Sequence, residues 1–188
     1  MSAPMKKPIL CAVLVVALNG RAPAQPFAGS EAGDLARRIL AAHNVERAKV
    51  GAPALQWDWT LAAHAASYGP VLARMHALVH SPREGRPGER ENLAMAWHKS
   101  MTPEQLVGMW SDEKRLIAPG SSVFPAMSRT GRWEDIAHYT QMVWPTTTHV
   151  GCAIFSAEWD YLICRYSPPG NIDGKPLFVS VASRRDAS

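Results

Sequence analysis

An α+β domain, in which helices cover a small antiparallel sheet, is what the sequence predicts, and three observations carry that expectation. Apolar residues recur at helical spacing between Asp34 and Met75. A helix start with its own cap stands at Thr102-Pro103-Glu104-Gln105. Two short β-rich runs, Val150–Phe155 and Tyr161–Tyr166, follow near the C-terminus with Ser156–Asp160 between them.

The order of elements begins with a leader. Met5-Lys6-Lys7, the apolar run Ile9–Leu18 and then Ala22-Pro23-Ala24 have the charged, apolar and small-x-small order of a secretory signal peptide. Cleavage is expected after Ala24, and the boundaries expected are a leader over 1–24, a linker over 25–34, one domain over 35–174 and a C-terminal extension over 175–188. No transmembrane anchor is expected after cleavage. Leu10 before Cys11 is too large for the small residue a lipoprotein site requires, so Cys11 leaves with the leader.

Asp34–Val50 reads as a helix with Leu35, Ile39 and Ala42 on one face and Gly51 as its stop. Asp58 caps a second helix through Leu61, Ala62, Ala65, Leu72 and Met75, which Gly69-Pro70 should kink or break. Ser81–Arg90 is a charged loop. Thr102, with proline at the first helical position and Gln105 three places on, starts a helix carrying Leu106, Met109, Trp110 and Glu113. Ala118–Arg132 is a Gly/Ser/Pro loop, and Ile136–Trp144 a short helix that Pro145 ends.

The two β-rich runs form a hairpin, closed by Pro168-Pro169-Gly170-Asn171. A turn centred on Glu158 places Cys152 opposite Cys164, and cross-strand Cα separations of about 4.5–5.5 Å are within disulfide reach. An even cysteine pair in an exported chain points the same way.

Composition sets the limits of function. With 188 residues, 47% hydrophobic and 19% charged, the chain is one globular domain; no apolar run approaches the length of a membrane-spanning helix. The net charge of +4 includes Lys6, Lys7 and Arg21 of the leader. The remaining bases alternate with acids, as in Arg83-Glu84 and Glu89-Arg90-Glu91, so no nucleic-acid partner is expected. There is no G-x-S-x-G elbow, H-E-x-x-H helix, P-loop or C-x-x-C. His76 and His80 have the spacing of a metal pair on a helix, but Pro82 follows closely and favours two separate local roles. Most of the tryptophans are expected to be core anchors.

His138-Tyr139-Thr140-Gln141-Met142-Val143-Trp144, continuing to Val150-Gly151-Cys152-Ala153, closely resembles the first signature of the CAP superfamily, the cysteine-rich secretory, antigen 5 and pathogenesis-related 1 proteins. Tyr161–Asn171 looks like the second signature, and Ala42–Arg47 with Leu55-Gln56-Trp57, Val79-His80-Ser81 and Glu91-Asn92-Leu93-Ala94 agree in order and spacing. Arg90 and Ala137 stand where the family usually has Gly, and the segment Met127–Ile136 is long. With two cysteines after the leader and no cysteine-rich tail, the chain resembles the minimal bacterial domain.

The resemblance implies a three-layer α-β-α sandwich whose cleft is lined by His80, Glu91, Glu113 and His138. Two neutral imidazoles would make a partial site for weakly bound zinc or another divalent metal, with His80 and His138 as ligands and Glu91, Glu113, Asn92 and Tyr139 around them. The alternative is a purely structural hydrogen-bonded network. His43, Asn44 and Arg47 read as a buttress of the fold.

Two functional classes follow. The first is a secreted or periplasmic binding module for a lipid, a sterol or an extracellular protein, with Val123, Phe124, Met127 and Trp133 lining its pocket. The second is a metal-dependent hydrolase with Glu91 or Glu113 as general base. A serine protease built on Ser81 beside His80 is a weaker variant, because adjacency in sequence says nothing of nucleophile-base geometry.

Overall fold

The computed structural model describes residues 30–177, so the expected leader and most of the C-terminal extension lie outside the described residues. The elements in chain order are α1 (Glu31–Lys49), β1 (Gln56–Trp57), α2 (Trp59–Met75), β2 (Arg90–Trp97), α3 (Pro103–Ser111), α4 (Ala137–Met142), β3 (His149–Ser156) and β4 (Trp159–Ser167). Short 3₁₀ turns at Arg83–Gly85, Asp112–Leu116 and Trp133–Ile136 link them.

Caps set the helix starts. Ser30 accepts the Gly33 N–H and starts α1 at Glu31, three residues before the expected Asp34. Asp58 accepts the N–H groups of Thr60 and Leu61 at the head of α2. Thr102 and Gln105 form the reciprocal capping box expected of them. Glu113 lies beyond α3, in the 3₁₀ turn, and α4 ends at Met142 rather than Trp144.

Pro70 neither breaks nor ends α2, which runs unbroken to Met75. The proline removes one helical hydrogen bond, but α2 is held by burial of Leu61, Ala65, Gly69 and Leu72. A Cβ on Gly69 would come within 2.3 Å of the Phe155 Cβ, so the helix lies directly on β3 at that point.

The sheet order is β1-β3-β4-β2, with β2, β4 and β3 antiparallel and the two-residue β1 parallel to β3. That parallel strand and the whole of β2 were not read from the sequence. Alternation along β4 divides the core. Tyr161 and Ile163 pack with Leu93, Ala65 and Leu72 under α2, whereas Leu162, Cys164 and Tyr166 face the core built with Ile39, Trp110 and Met142 of α1, α3 and α4. The result is the three-layer α-β-α sandwich.

Of seven tryptophans, Trp110 and Trp144 are buried at 2% exposure, but Trp59, Trp97 and Trp133 are exposed at 45–55%. Trp57 and Trp159 are partly buried against the two cores, so four of the seven pack into the core as expected and three do not. Trp97 instead stacks on Trp159 at the far end of the hairpin, with ring centroids 4.0 Å apart. Amphipathic indoles fit such rims as well as cores, and spacing alone does not separate the two.

Cys152 faces Cys164 in the β3–β4 register and the two form a disulfide, with Cα atoms 4.1 Å apart. Opening a loop of this size is expected to lower the unfolding free energy by about 2–3 kcal/mol. Thermal melts of the Cys152→Ala/Cys164→Ala protein measure it; an unchanged melting temperature would contradict the expectation.

The buttress is as expected. His43 and Arg47 are fully buried on α1, and Asn44 exchanges hydrogen bonds with the Leu55 backbone, 2.7 Å from its N–H and 3.1 Å from its carbonyl.

Candidate functional site

Four segments bring the predicted cluster together. After α2 ends at His76 in a left-handed conformation (φ 49°), the chain turns back and delivers His80 beside Glu91, the second residue of β2. The turn after α3 presents Glu113 to His138, the second residue of α4. His76 and His80 share no helix face, so the metal-pair spacing has no structural counterpart.

The two halves are built alike. His80 Nδ1 lies 2.8 Å from Glu91 Oε1, and His138 Nδ1 lies 2.6 Å from Glu113 Oε1. Each carboxylate makes its Nδ1–H the donor and leaves Nε2 with a lone pair. Among the described residues no hydrogen bond reaches either Nε2. The two rings stand on one cleft, centroids 6.5 Å apart and tilted by 31°, with side chains 53% and 28% exposed.

The carboxylates are fully engaged. Glu91 also accepts the Ser81 N–H and hydroxyl at 3.0 and 2.9 Å and pairs with Arg165 at 2.9 Å. Burial alone would push the Glu91 carboxyl up, but His80, the charge of Arg165 and the Ser81 donors together hold it below the usual range. Glu113 accepts the backbone N–H groups of His138 and Tyr139, both at 3.0 Å.

Other residues place the imidazoles. Asn92 donates to the His138 carbonyl at 3.0 Å and to the Tyr166 hydroxyl at 3.1 Å. Trp110 stacks against the His138 ring, with centroids 6.1 Å apart, and is itself fixed by its Nε1–H to the Leu93 carbonyl at 2.9 Å. Sequence reading missed that role, because a helical tryptophan reads simply as core.

The cleft has a volume of about 740 Å³. Phe124, Pro125 and Trp133 form its apolar wall, as expected for Phe124 and Trp133. Met127 does not line it, being fully buried in the core, and Val123 points elsewhere, beside a β-bridge to Pro176. Tyr139 contributes its backbone only. Its phenol lies in a separate depression with Lys114 and Ile117, where burial pushes it up to about 12. The Ser81 hydroxyl donates to Glu91 and accepts from Arg165 at 3.1 Å, and it makes no hydrogen bond to the His80 ring beside which the serine-protease variant placed it.

The donor set fits a divalent metal as a two-ligand open site. Carboxylate-braced imidazoles with free Nε2 atoms are the usual form of a histidine ligand. Rings sharing one tetrahedral Zn²⁺ would have centroids roughly 5 Å apart, so these two must close slightly. No group of three or more His, Cys, Asp or Glu is placed to hold a metal among the described residues, so a metal held here would rest on the pair alone.

Comparison with known proteins agrees with the fold and with the motifs that line the cleft. The family model described as CAP, the cysteine-rich secretory protein family, matches residues 40–166. Pathogenesis-related protein 1C of Nicotiana tabacum is 39% identical over 138 residues, 72% of this chain and 76% of the relative. Secreted protein RBT4 of Candida albicans is 32% identical over 152 residues, 79% of this chain and 38% of the relative. Among solved structures, NaASP2 with Zn²⁺ superposes with a TM-score of 0.65 at 24% identity, covering 79% of this chain and 86% of that one.

Proposed function

We propose, since this chain belongs to the cysteine-rich secretory protein (CAP) family, that it is an exported binding module whose cleft holds a divalent metal on the Nε2 atoms of His80 and His138. One observation carries the reading. Both imidazoles are oriented by a carboxylate at Nδ1, at 2.8 and 2.6 Å, and both leave Nε2 unpaired on the same cleft. A bound metal would supply positive charge and open coordination positions for an oxygen ligand. Phe124, Pro125 and Trp133 would take the apolar body of a lipid or sterol.

Relatives support export and metal binding: one is named a secreted protein, and two neighbours of the same fold are solved with Zn²⁺ and manganese. The leader expected over 1–24 would agree with export, and no helix among the described residues is long and apolar enough to cross a membrane. The hydrolase reading needs Glu91 or Glu113 as a general base. All four of their oxygens already accept hydrogen bonds, which favours binding over hydrolysis.

Calorimetric titration with Zn²⁺ tests the proposal. One equivalent should bind to the wild type, and His80→Ala or His138→Ala should abolish the heat while melting temperature changes little. Acid should weaken binding as protons compete for the imidazoles. No wild-type heat, together with a large loss of melting temperature in His138→Ala, would make the cluster a structural network and remove the metal and hydrolase readings alike.

A further inference from the structure

We propose that the cleft recognises a phosphomonoester group, held on a wall of three arginines, Arg83, Arg86 and Arg90, beside the histidine pair. The proposal rests on the cleft being the ligand site and is independent of the metal.

The three guanidiniums line the same cleft, and none forms an ion pair among the described residues. Arg83 is exposed on the 3₁₀ turn Arg83–Gly85 and has no side-chain hydrogen bond. Arg86 is buried at 8% exposure and spends Nε and Nη1 on the carbonyls of Ser81 and Glu89, at 3.1 and 3.4 Å, which leaves Nη2 over. Arg90 opens β2, half-buried and without a hydrogen-bonded partner for its side chain.

In the sequence these charges alternate with acids, which suggests neutralisation. The fold undoes that pairing. Glu89 turns to His64 at 2.7 Å and Arg165 at 3.3 Å, and Glu91 turns to His80 and Arg165. Asp173, the other carboxylate of the lining, favours the charged form of Arg90 but lies beyond ion-pair distance.

The arginines are close enough to oppose one another. Burial first, then the charges of Arg83 and Arg86, push Arg90 below its ordinary value; burial, with Arg165 and Arg83, does the same to Arg86 against the opposing charges of Glu91 and Glu89. Like charges gathered on a concave wall with no carboxylate in ion-pair contact make a field that an anion would relieve.

The remaining lining chemistry narrows the anion. Gln141 is held by Gly170 and Thr147, and Asn171 by Thr140 and the Ala137 carbonyl, so the charged donors to spare are the arginines. Three guanidinium groups suit a dianion with three terminal oxygens better than the two-oxygen face of a carboxylate. Phe124, Trp133 and Ile172 stand ready for an apolar substituent on that ester.

Calorimetry in EDTA at low salt tests this, using inorganic phosphate, lysophosphatidate and lysophosphatidylcholine, the lipids below their micellar concentrations. Inorganic phosphate and lysophosphatidate should bind. Arg83→Ala and Arg90→Ala should each weaken both by about tenfold, and Arg90→Lys by less. Lysophosphatidate binding at least about tenfold tighter than phosphate would assign a lipid source, and equal affinities a free phosphate ester. Arg83 sits in an exposed turn, so its variant tests recognition without testing the fold.

Lysophosphatidylcholine binding as tightly as lysophosphatidate, unchanged affinity in both arginine variants, or no phosphate or lysophosphatidate binding at millimolar concentration would overturn the proposal. The two readings of the cleft fail separately. A protein that gives no Zn²⁺ heat but binds lysophosphatidate through Arg90 loses the metal and keeps the anion site; one that binds Zn²⁺ and no phosphomonoester does the reverse.

Discussion

Replacing Arg47 by Met is expected to lower the unfolding free energy by about 3–5 kcal/mol. Arg47 is fully buried and pairs with no carboxylate among the described residues. Its guanidinium donates to four backbone carbonyls instead: Pro53 at 2.5 Å, and Met142, Trp144 and Thr147 each at 2.9 Å. Burial pushes the group down to about 10, so it remains charged at neutral pH.

Those carbonyls belong to the loop after α1, to the last residue of α4 and to the segment between α4 and β3, which the one side chain ties to α1. Methionine fills much of the volume but satisfies none of the acceptors. Trp144 would keep the turn bond from Thr147, whereas the other three carbonyls would lose this donor. Lysine brings a charge without the planar fork, so Arg47→Lys should recover only a small part. For a domain of this size, at about 2–4 °C per kcal/mol, the melting temperature should fall by roughly 10 °C. Urea unfolding within about 1 kcal/mol of wild type would show the acceptors find other donors.

Acid should cost nearly as much. His43 is fully buried on α1, with Nδ1 2.8 Å from the Ile39 carbonyl and Nε2 2.8 Å from the Tyr166 hydroxyl. The carbonyl fixes Nδ1–H as the donor, and Nε2 accepts from the hydroxyl, which in turn accepts from Asn92. That chain has no place for a second ring proton. Burial first, and then the charge of Arg47, lower His43 from 6.5 to about 4.

The sign follows from proton binding. Below pH 6.5 the unfolded chain protonates this histidine and the folded chain does not, so stability present at neutral pH is lost as pH falls towards 4. The full loss is about 3 kcal/mol. Glu91, also held low in the fold, adds to the loss only at lower pH, around and below 4.5. Urea unfolding of the wild type and His43→Gln from pH 7 to 4 should show a slope shallower in the variant by nearly one proton. Parallel slopes would mean His43 takes up its proton inside the fold.

Legibility of the sequence followed how local each signal was. The capping box at Thr102, the hairpin register that pairs Cys152 with Cys164, and the order of elements all depend on neighbours within a few residues. Strand β2 escaped because Arg90–Trp97 is buried along both faces, between α2 and the α1, α3 and α4 layer, and so lacks the alternation that marks a half-exposed strand. The continuity of α2 through Pro70 was hidden for a related reason, since what holds it is contact with β3.

The candidate site was legible through resemblance, which named His80, Glu91, Glu113 and His138 as one cluster. What no local pattern held was the direction of each group. Tyr139 turns its ring away, Met127 goes to the core, and Trp110 proves to be the platform under His138. Arg83, Arg86 and Arg90 were discounted as half of an alternating series. Three arginines within eight positions next to a cleft histidine were the available signal, and their lack of partners depends on where Glu89 and Glu91 turn.

The cleft draws its imidazoles and carboxylates from the loop after α2, from β2, from the turn after α3 and from α4. A ligand there gains full contact only when all four segments are docked, so its binding free energy accrues to the native state as a whole and to no partly opened form. At one hundred times its dissociation constant such a ligand adds about 2.7 kcal/mol against unfolding. Occupancy would therefore slow hydrogen exchange across the sandwich, including amides far from the cleft, because every opening that separates two of these segments must first release what they hold.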